Sequence, residues 1–128
     1  DTAPPIRPLR ILLVDDDPLL LRSLSDSLGA EGHTVVTAGG GHEGIAAFQA
    51  ALSGQPFDVV ITDLGMPDVD GRSVAAAVKA GAPDTPVVML TGWGRRMQDE
   101  GERPLHVDHL LAKPPRLPAL RAVFRALG

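Results

Sequence analysis

The chain has no cysteine, which excludes disulfides and thiolate metal centres and fits a reducing compartment. Aromatic residues are scarce: Phe48, Phe57, Phe124 and Trp93 are all it has. The core must therefore be filled by Leu, Val, Ile and Ala. Apolar runs stop after four to six residues, far short of the ~20 that a membrane-spanning helix needs, and the N-terminus lacks the basic-then-apolar layout of a signal peptide. No Gly-x-x-x-x-Gly-Lys phosphate loop occurs, which removes the commonest nucleotide cradle. Basic residues interleaved with aromatics are missing too, so nothing points to nucleic acid. The expectation is a cytoplasmic domain that touches neither membrane nor nucleic acid.

The 128 residues fit one domain, long enough to bury roughly two-thirds of the unfolded surface. The net charge of -4 is unevenly spread: residues 1–90 carry 5 basic and 12 acidic side chains, residues 91–128 carry 7 and 4. The basic excess reads as a solvated helix face. Residues 1–8, with three prolines, read as a linker or unfolded lead-in, and the domain is expected over 9–128.

From Leu9 onward strand and helix signals alternate. Strands are expected at about 9–14, 34–38, 57–62, 86–90 and 109–112. Several are continuous apolar runs, as when helices cover both faces of a sheet. Helices are expected after Asp17 with Pro18 at the first position, over about 42–52, over 71–80 and over about 116–127. Leu24 and Leu28, Ile45 and Phe48, Val74 and Val78, and Leu120 and Phe124 mark their buried stripes. Between Gly92 and Val107 the pattern fails, so the fourth helix should be short or irregular. The result is α/β: a five-stranded parallel sheet with helices on both faces.

What ends each apolar run is the chief signal. Ile11-Leu12-Leu13-Val14 stops at Asp15, Asp16 and Asp17; Val59-Val60-Ile61-Thr62 stops at Asp63; Val87-Val88-Met89-Leu90 stops at Thr91; Leu110-Leu111-Ala112 stops at Lys113. Strand C-termini of an open parallel sheet share one edge, where ligands bind. One site of carboxylates, an alcohol and an amine follows. Carboxylates ~4 Å apart repel by about 1 kcal/mol in water and several times that in a less polar cleft. A hard cation such as Mg²⁺, held by carboxylates, water and phosphate oxygens, relieves the conflict. Asp17 is better read as a helix cap. Asp63 is then suited to nucleophilic attack on phosphorus, with Thr91 and Lys113 neutralising the transferred oxygens. This chemistry requires that the Asp63 side chain not be buried and that the Lys113 amine stand at the pocket.

These residues carry a resemblance. Ile11 to Pro18, Asp63-Leu64-Gly65-Met66-Pro67 with Asp70-Gly71, Pro86 to Thr91, and Lys113-Pro114 resemble the receiver domain of two-component response regulators and hybrid sensor histidine kinases, over roughly residues 9–127. The resemblance implies a flavodoxin-like (βα)5 fold and a signalling domain, not a free-standing enzyme. It implies phosphoryl transfer onto Asp63 from a histidine kinase or phosphotransfer domain. Mg²⁺ would be bound by Asp16, Asp63, the Gly65 carbonyl and, through water, Asp15. Phosphoryl contacts would come from Thr91 and Lys113, and the Lys113–Pro114 bond would be cis. A conformational switch, a downstream protein target and a place at the C-terminus of a hybrid sensor kinase are further expectations. The chain departs from the family at Leu110, where an aromatic residue commonly stands, so the usual aromatic–Thr coupling lacks its aromatic partner. Trp93 reads equally as a shield over the acyl phosphate or as core.

Two other readings stand beside this one. Leu13-Val14-Asp15-Asp16-Asp17 also fits a haloacid-dehalogenase-like phosphatase with Asp15 as nucleophile. In that case no acidic pair follows Lys113 and Asp63 has no task. A receiver-like binding module that is never phosphorylated is the third reading. The site of covalent labelling by acetyl phosphate separates them: Asp63, Asp15 or neither.

Overall fold

The computed structural model describes residues 6–92 and 106–127. Five strands, β1 (Arg10–Val14), β2 (Thr34–Ala38), β3 (Val59–Asp63), β4 (Val87–Thr91) and β5 (His109–Ala112), form one sheet in the order β2-β1-β3-β4-β5. Every pairing is parallel. Helices α1 (Pro18–Ala30), α2 (Gly41–Leu52) and α3 (Gly71–Gly81) make return connections between strands, and α4 (Leu117–Leu127) follows β5. The order reverses direction beside β1, so β1 and β3 flank the crevice where such sheets bind ligands. The helix expected between Gly92 and Val107 falls on residues 93–105, outside the described residues, as does Trp93.

Strand alternation divides the core in two. Leu12, Val14, Val60 and Met89 face one side, against Phe48 of α2 and Val74 and Val78 of α3. Ile11, Leu13, Ile61, Val88 and Leu90 face the other, against Leu24 and Leu28 of α1 and Leu120 and Phe124 of α4. This is why the strands read as unbroken apolar runs: both of their faces are covered. Each fully buried Leu or Ile contributes about 1.5–3 kcal/mol, so the aliphatic core needs few rings.

Boundaries differ from the sequence expectation by one or two residues, with local causes. Phe57 and Asp58 precede β3 rather than opening it; the Asp58 carboxylate accepts the Arg10 N–H at 2.7 Å, and Asp58 N–H donates to the Arg10 carbonyl. Helix α1 runs through Gly29, and the turn after it is made by Gly32 at φ 99. Ile6, in the expected lead-in, packs against the α1/α4 side of the core.

His33 carries more structure than its sequence position suggests. Buried at 6% exposure, its Nδ1 accepts the Leu9 N–H at 3.0 Å and its ring meets the Phe124 ring edge-on at 5.1 Å. Burial pulls its pKa below the ordinary 6.5, against the opposing pull of Glu31, which Arg121 holds in a two-pronged ion pair at 3.0 and 2.7 Å. A depressed pKa means that His33 favours folding above pH 6.5 and withdraws that support as the pH falls toward its folded value. Urea unfolding between about pH 8 and pH 5.5 should show this as a loss of at most about 1.4 kcal/mol per pH unit. His33→Asn, which keeps an acceptor for Leu9, should flatten the difference; an unaltered pH profile in that variant would refute the assignment.

Candidate functional site

The alternation that builds the core also aims the charges. Asp15 follows Leu13 by two residues, Asp63 follows Ile61 and Lys113 follows Leu111; Leu13, Ile61 and Leu111 all belong to the α1/α4 side. One further step of the two-residue period places two carboxylates and an ammonium together above the sheet. Lys113 Nζ lies 3.0 Å from Asp15 Oδ2 and 3.1 Å from Asp63 Oδ2. The Lys113–Pro114 bond just beyond is cis, as the resemblance implies.

Backbone groups fix the acidic side. Asp15 N–H donates to the Ala38 carbonyl at 3.1 Å, and the Asp15 carboxylate accepts the Asp17 N–H at 2.8 Å. Asp17 is the helix cap expected of it, accepting from Leu19 N and Leu20 N. This leaves Asp16 exposed at the rim. Asp15, Asp16 and Asp63 each offer an oxygen within 4.8 Å of the others.

The loop after β3 is held at both ends. Leu64 N–H continues the ladder onto the Leu90 carbonyl, and Gly71 N–H donates to the Leu64 carbonyl at 3.0 Å. Met66 is buried in the α2/α3 side of the core and Gly65 is exposed beside it. Asp70 caps α3 through the Ser73 N–H. Thr91 is buried at the tip of β4, its carbonyl accepting Lys113 N–H at 3.1 Å. The structure thus unites Asp15, Asp16, Asp63 and Lys113, with Thr91 on the adjoining strand tip and Gly65 on the loop. One expectation needs correcting: Asp63 is recessed, its side chain only 7% exposed, rather than open to solvent. The Lys113 amine does stand at the pocket, 3.1 Å from Asp63 Oδ2.

Among the described residues the charges do not balance: the carboxylates of Asp15, Asp16 and Asp63 stand near the single ammonium of Lys113. Burial raises the Asp15 pKa above the carboxylate norm and the Asp63 charge adds to this, against the Asp17 N–H and Lys113. For Lys113, burial favours the neutral amine, but its bonds to Asp15 and Asp63 outweigh that and raise its pKa. Lys113 Nζ donates to Asp15 Oδ1 at 3.4 Å, and the buried Oδ2 has that ammonium's ion pair at 3.0 Å but no hydrogen bond. A buried carboxylate oxygen so incompletely bonded is costly and is suited to a hard divalent cation. The donor set therefore fits Mg²⁺.

A raised carboxyl pKa works against folding once the group ionises. The penalty is absent below 3.8 and complete above the folded-state pKa. Metal-free Asp15→Asn, whose amide oxygen still accepts the Asp17 N–H, should therefore melt higher than the parent at pH 7. Near pH 4 the gap should close. Thermal unfolding in a chelator checks both, and a lower melting temperature at pH 7 would contradict this electrostatic account.

Comparison with known proteins bears on this geometry. The family model described as a response regulator receiver domain matches residues 11–125. Transcriptional regulatory protein TcrA of Mycobacterium tuberculosis (strain ATCC 25618 / H37Rv) is 36% identical over 94% of this chain and 46% of its own length. Transcriptional regulatory protein GlrR of Escherichia coli (strain K12) is 42% identical over 69% of this chain and 19% of its own. The chain thus spans less than half the length of these relatives. Among solved structures, response regulator protein TrrA from Thermotoga maritima, in complex with Mg²⁺-BeF, superposes with a TM-score of 0.76 at 29% identity, covering 93% of this chain and 98% of that one.

Proposed function

The chain belongs to the receiver-domain family of two-component response regulators, a signalling family, and on that premise we propose that it accepts a phosphoryl group on Asp63 with Mg²⁺ and changes conformation in response. The observation that carries this is Lys113 Nζ bridging Asp15 and Asp63 at 3.0 and 3.1 Å. That contact sets a movable cation beside a carboxylate nucleophile and a buried acidic neighbour. Asp16, Asp63, the Gly65 carbonyl and, through water, Asp15 would hold the ion. Its chemistry is to neutralise the incoming phosphoryl oxygens. The Mg²⁺-BeF complex of TrrA supports that choice of metal.

Transfer begins with a phosphohistidine of a kinase or phosphotransfer domain. An Asp63 carboxylate oxygen forms the new O–P bond as the P–N bond breaks, and the departing imidazole takes a proton from solvent. Lys113 exchanges part of its pairing with Asp63 for a phosphoryl oxygen, and Thr91 donates its hydroxyl to another. The transferred group brings about -1.5 to -2 charge, so the strongest new attraction acts on Lys113 and on the β4 tip. The two conformations then shift in population. Leu110 is buried opposite Met89 in the α2/α3 side of the core. This route therefore runs through Lys113 and Thr91 rather than through an aromatic rotamer at 110. A cytoplasmic location and a downstream protein target belong to the same proposal. The phosphatase reading is disfavoured because no acidic pair follows Lys113 and Asp63 would have no task.

With Mg²⁺ and acetyl phosphate, intact-mass analysis should show one added phosphoryl group, mapped to Asp63. Asp63→Asn should remain folded and unlabelled. Label on Asp15 would indicate the phosphatase, and no label the binding module. Free Mg²⁺ at 100 times its dissociation constant should also stabilise the parent by about 2.7 kcal/mol. Unfolding curves that ignore Mg²⁺ would rule the cation out.

A further inference from the structure

The first turn of α2 lies against both acid-bearing strand ends, and it does so through glycine. A Cβ on Gly41 would fall inside contact distance of the Val69 carbonyl oxygen and within 2.6 and 2.7 Å of Val69 Cγ1 and Cβ. Val69 ends the loop that starts at Asp63 and carries Gly65. One turn on, a Cβ on Gly44 would meet Val14 Cγ2 at 2.7 Å, and Val14 is the residue before Asp15. The bare backbone of α2 therefore touches the β1 tip and the β3–α3 loop together.

Which side would yield to an added methyl is decided by anchorage. Glu43 accepts the Gly39 N–H at 3.1 Å and fixes the start of α2, and Phe48, 1% exposed, fixes its body. The loop is anchored at its ends but open at its tip: Gly65, Pro67 and Asp68 are exposed, and Asp68 sits at φ 65, a conformation that L-residues adopt sparingly. The loop gives way before the helix does.

We propose that Gly41 is a positioning residue. The side-chain-free turn of α2 sets how far the Asp63–Gly65 segment stands from Asp15 and Asp16, and so sets the pocket's affinity for a divalent cation. This rests on the reading of the pocket as a Mg²⁺ site. Supporting groups that orient metal ligands commonly govern affinity by about 10- to 100-fold.

The test uses three variants and MgCl₂ titrations by calorimetry. Gly41→Ala should bind Mg²⁺ about tenfold or more weakly. Gly40→Ala adds the same methyl one residue earlier, at an extended φ of -176 with nothing within 4 Å, and should bind as the parent does. Val69→Ala loosens the same contact from a half-buried position, and should bind severalfold more weakly even if Gly41→Ala fails to fold. In chelator, amide NMR shifts caused by Val69→Ala, and by Gly41→Ala if it folds, should concentrate in residues 64–70; a merely destabilised domain would show changes throughout. Parental affinity in Val69→Ala, or in a folded Gly41→Ala, overturns the inference alone. Absence of Mg²⁺ binding by the parent overturns the reading of the pocket and this inference with it.

Discussion

The contact on which the pocket depends is a single ammonium shared by two buried carboxylates. Lys113 stands 3.0 Å from Asp15 and 3.1 Å from Asp63, and it compensates only part of the charge collected there. A protein seeking stability alone would not assemble such a group, because desolvating charge is expensive unless every partner is in place. Here one oxygen of Asp15 has no hydrogen bond. The surplus gives the pocket its affinity for added positive charge, and the shared ammonium is what a new anion can draw away. Electrostatic discomfort in the resting state and readiness to react are the same property.

The opposite edge of the sheet shows the contrast. There Lys79 Nζ donates to the Thr85 carbonyl and to Asp108 Oδ2, both at 2.7 Å, and the same Asp108 oxygen accepts the Val87 N–H. These bonds hold the Asp108 pKa below the carboxylate norm although burial opposes them. Carboxylate and ammonium are both held by several bonds, and the result is a clasp tying α3 to the starts of β4 and β5. Similar side chains thus make a settled joint at one edge and an unsettled pocket at the other, and the difference lies in how fully their polar atoms are bonded.

Much of this was legible in the sequence for a definite physical reason. Strands buried on both faces leave no room for charged residues until they emerge, so the charged residue or, on β4, the hydroxyl that ends each apolar run marks the emergent tip. Asp15, Asp63, Thr91 and Lys113 were found that way. The cap at Asp17 was legible because Pro18 follows it. His33 left no such trace, since its buried acceptor role depends on Leu9 and Phe124, both remote in sequence. Gly41 was equally silent: in the run Gly39-Gly40-Gly41 nothing local tells the residue that must be bare from its neighbours. The recess of Asp63 depends on the reach of a lysine side chain fifty residues away, which no strand pattern encodes.

One consequence follows from the shared phase of core and charge. Because Asp15, Asp63 and Lys113 borrow their direction from Leu13, Ile61 and Leu111, the pocket has no scaffold of its own that selection could remodel. Lengthening any of these strands by one residue would rotate its charged tip to the other side of the sheet while shuffling the hydrophobic layers beneath. Diversification is thereby channelled into substitutions at fixed places and into length changes between elements. Such an arrangement lets partner preference drift freely around an unmoving chemical centre.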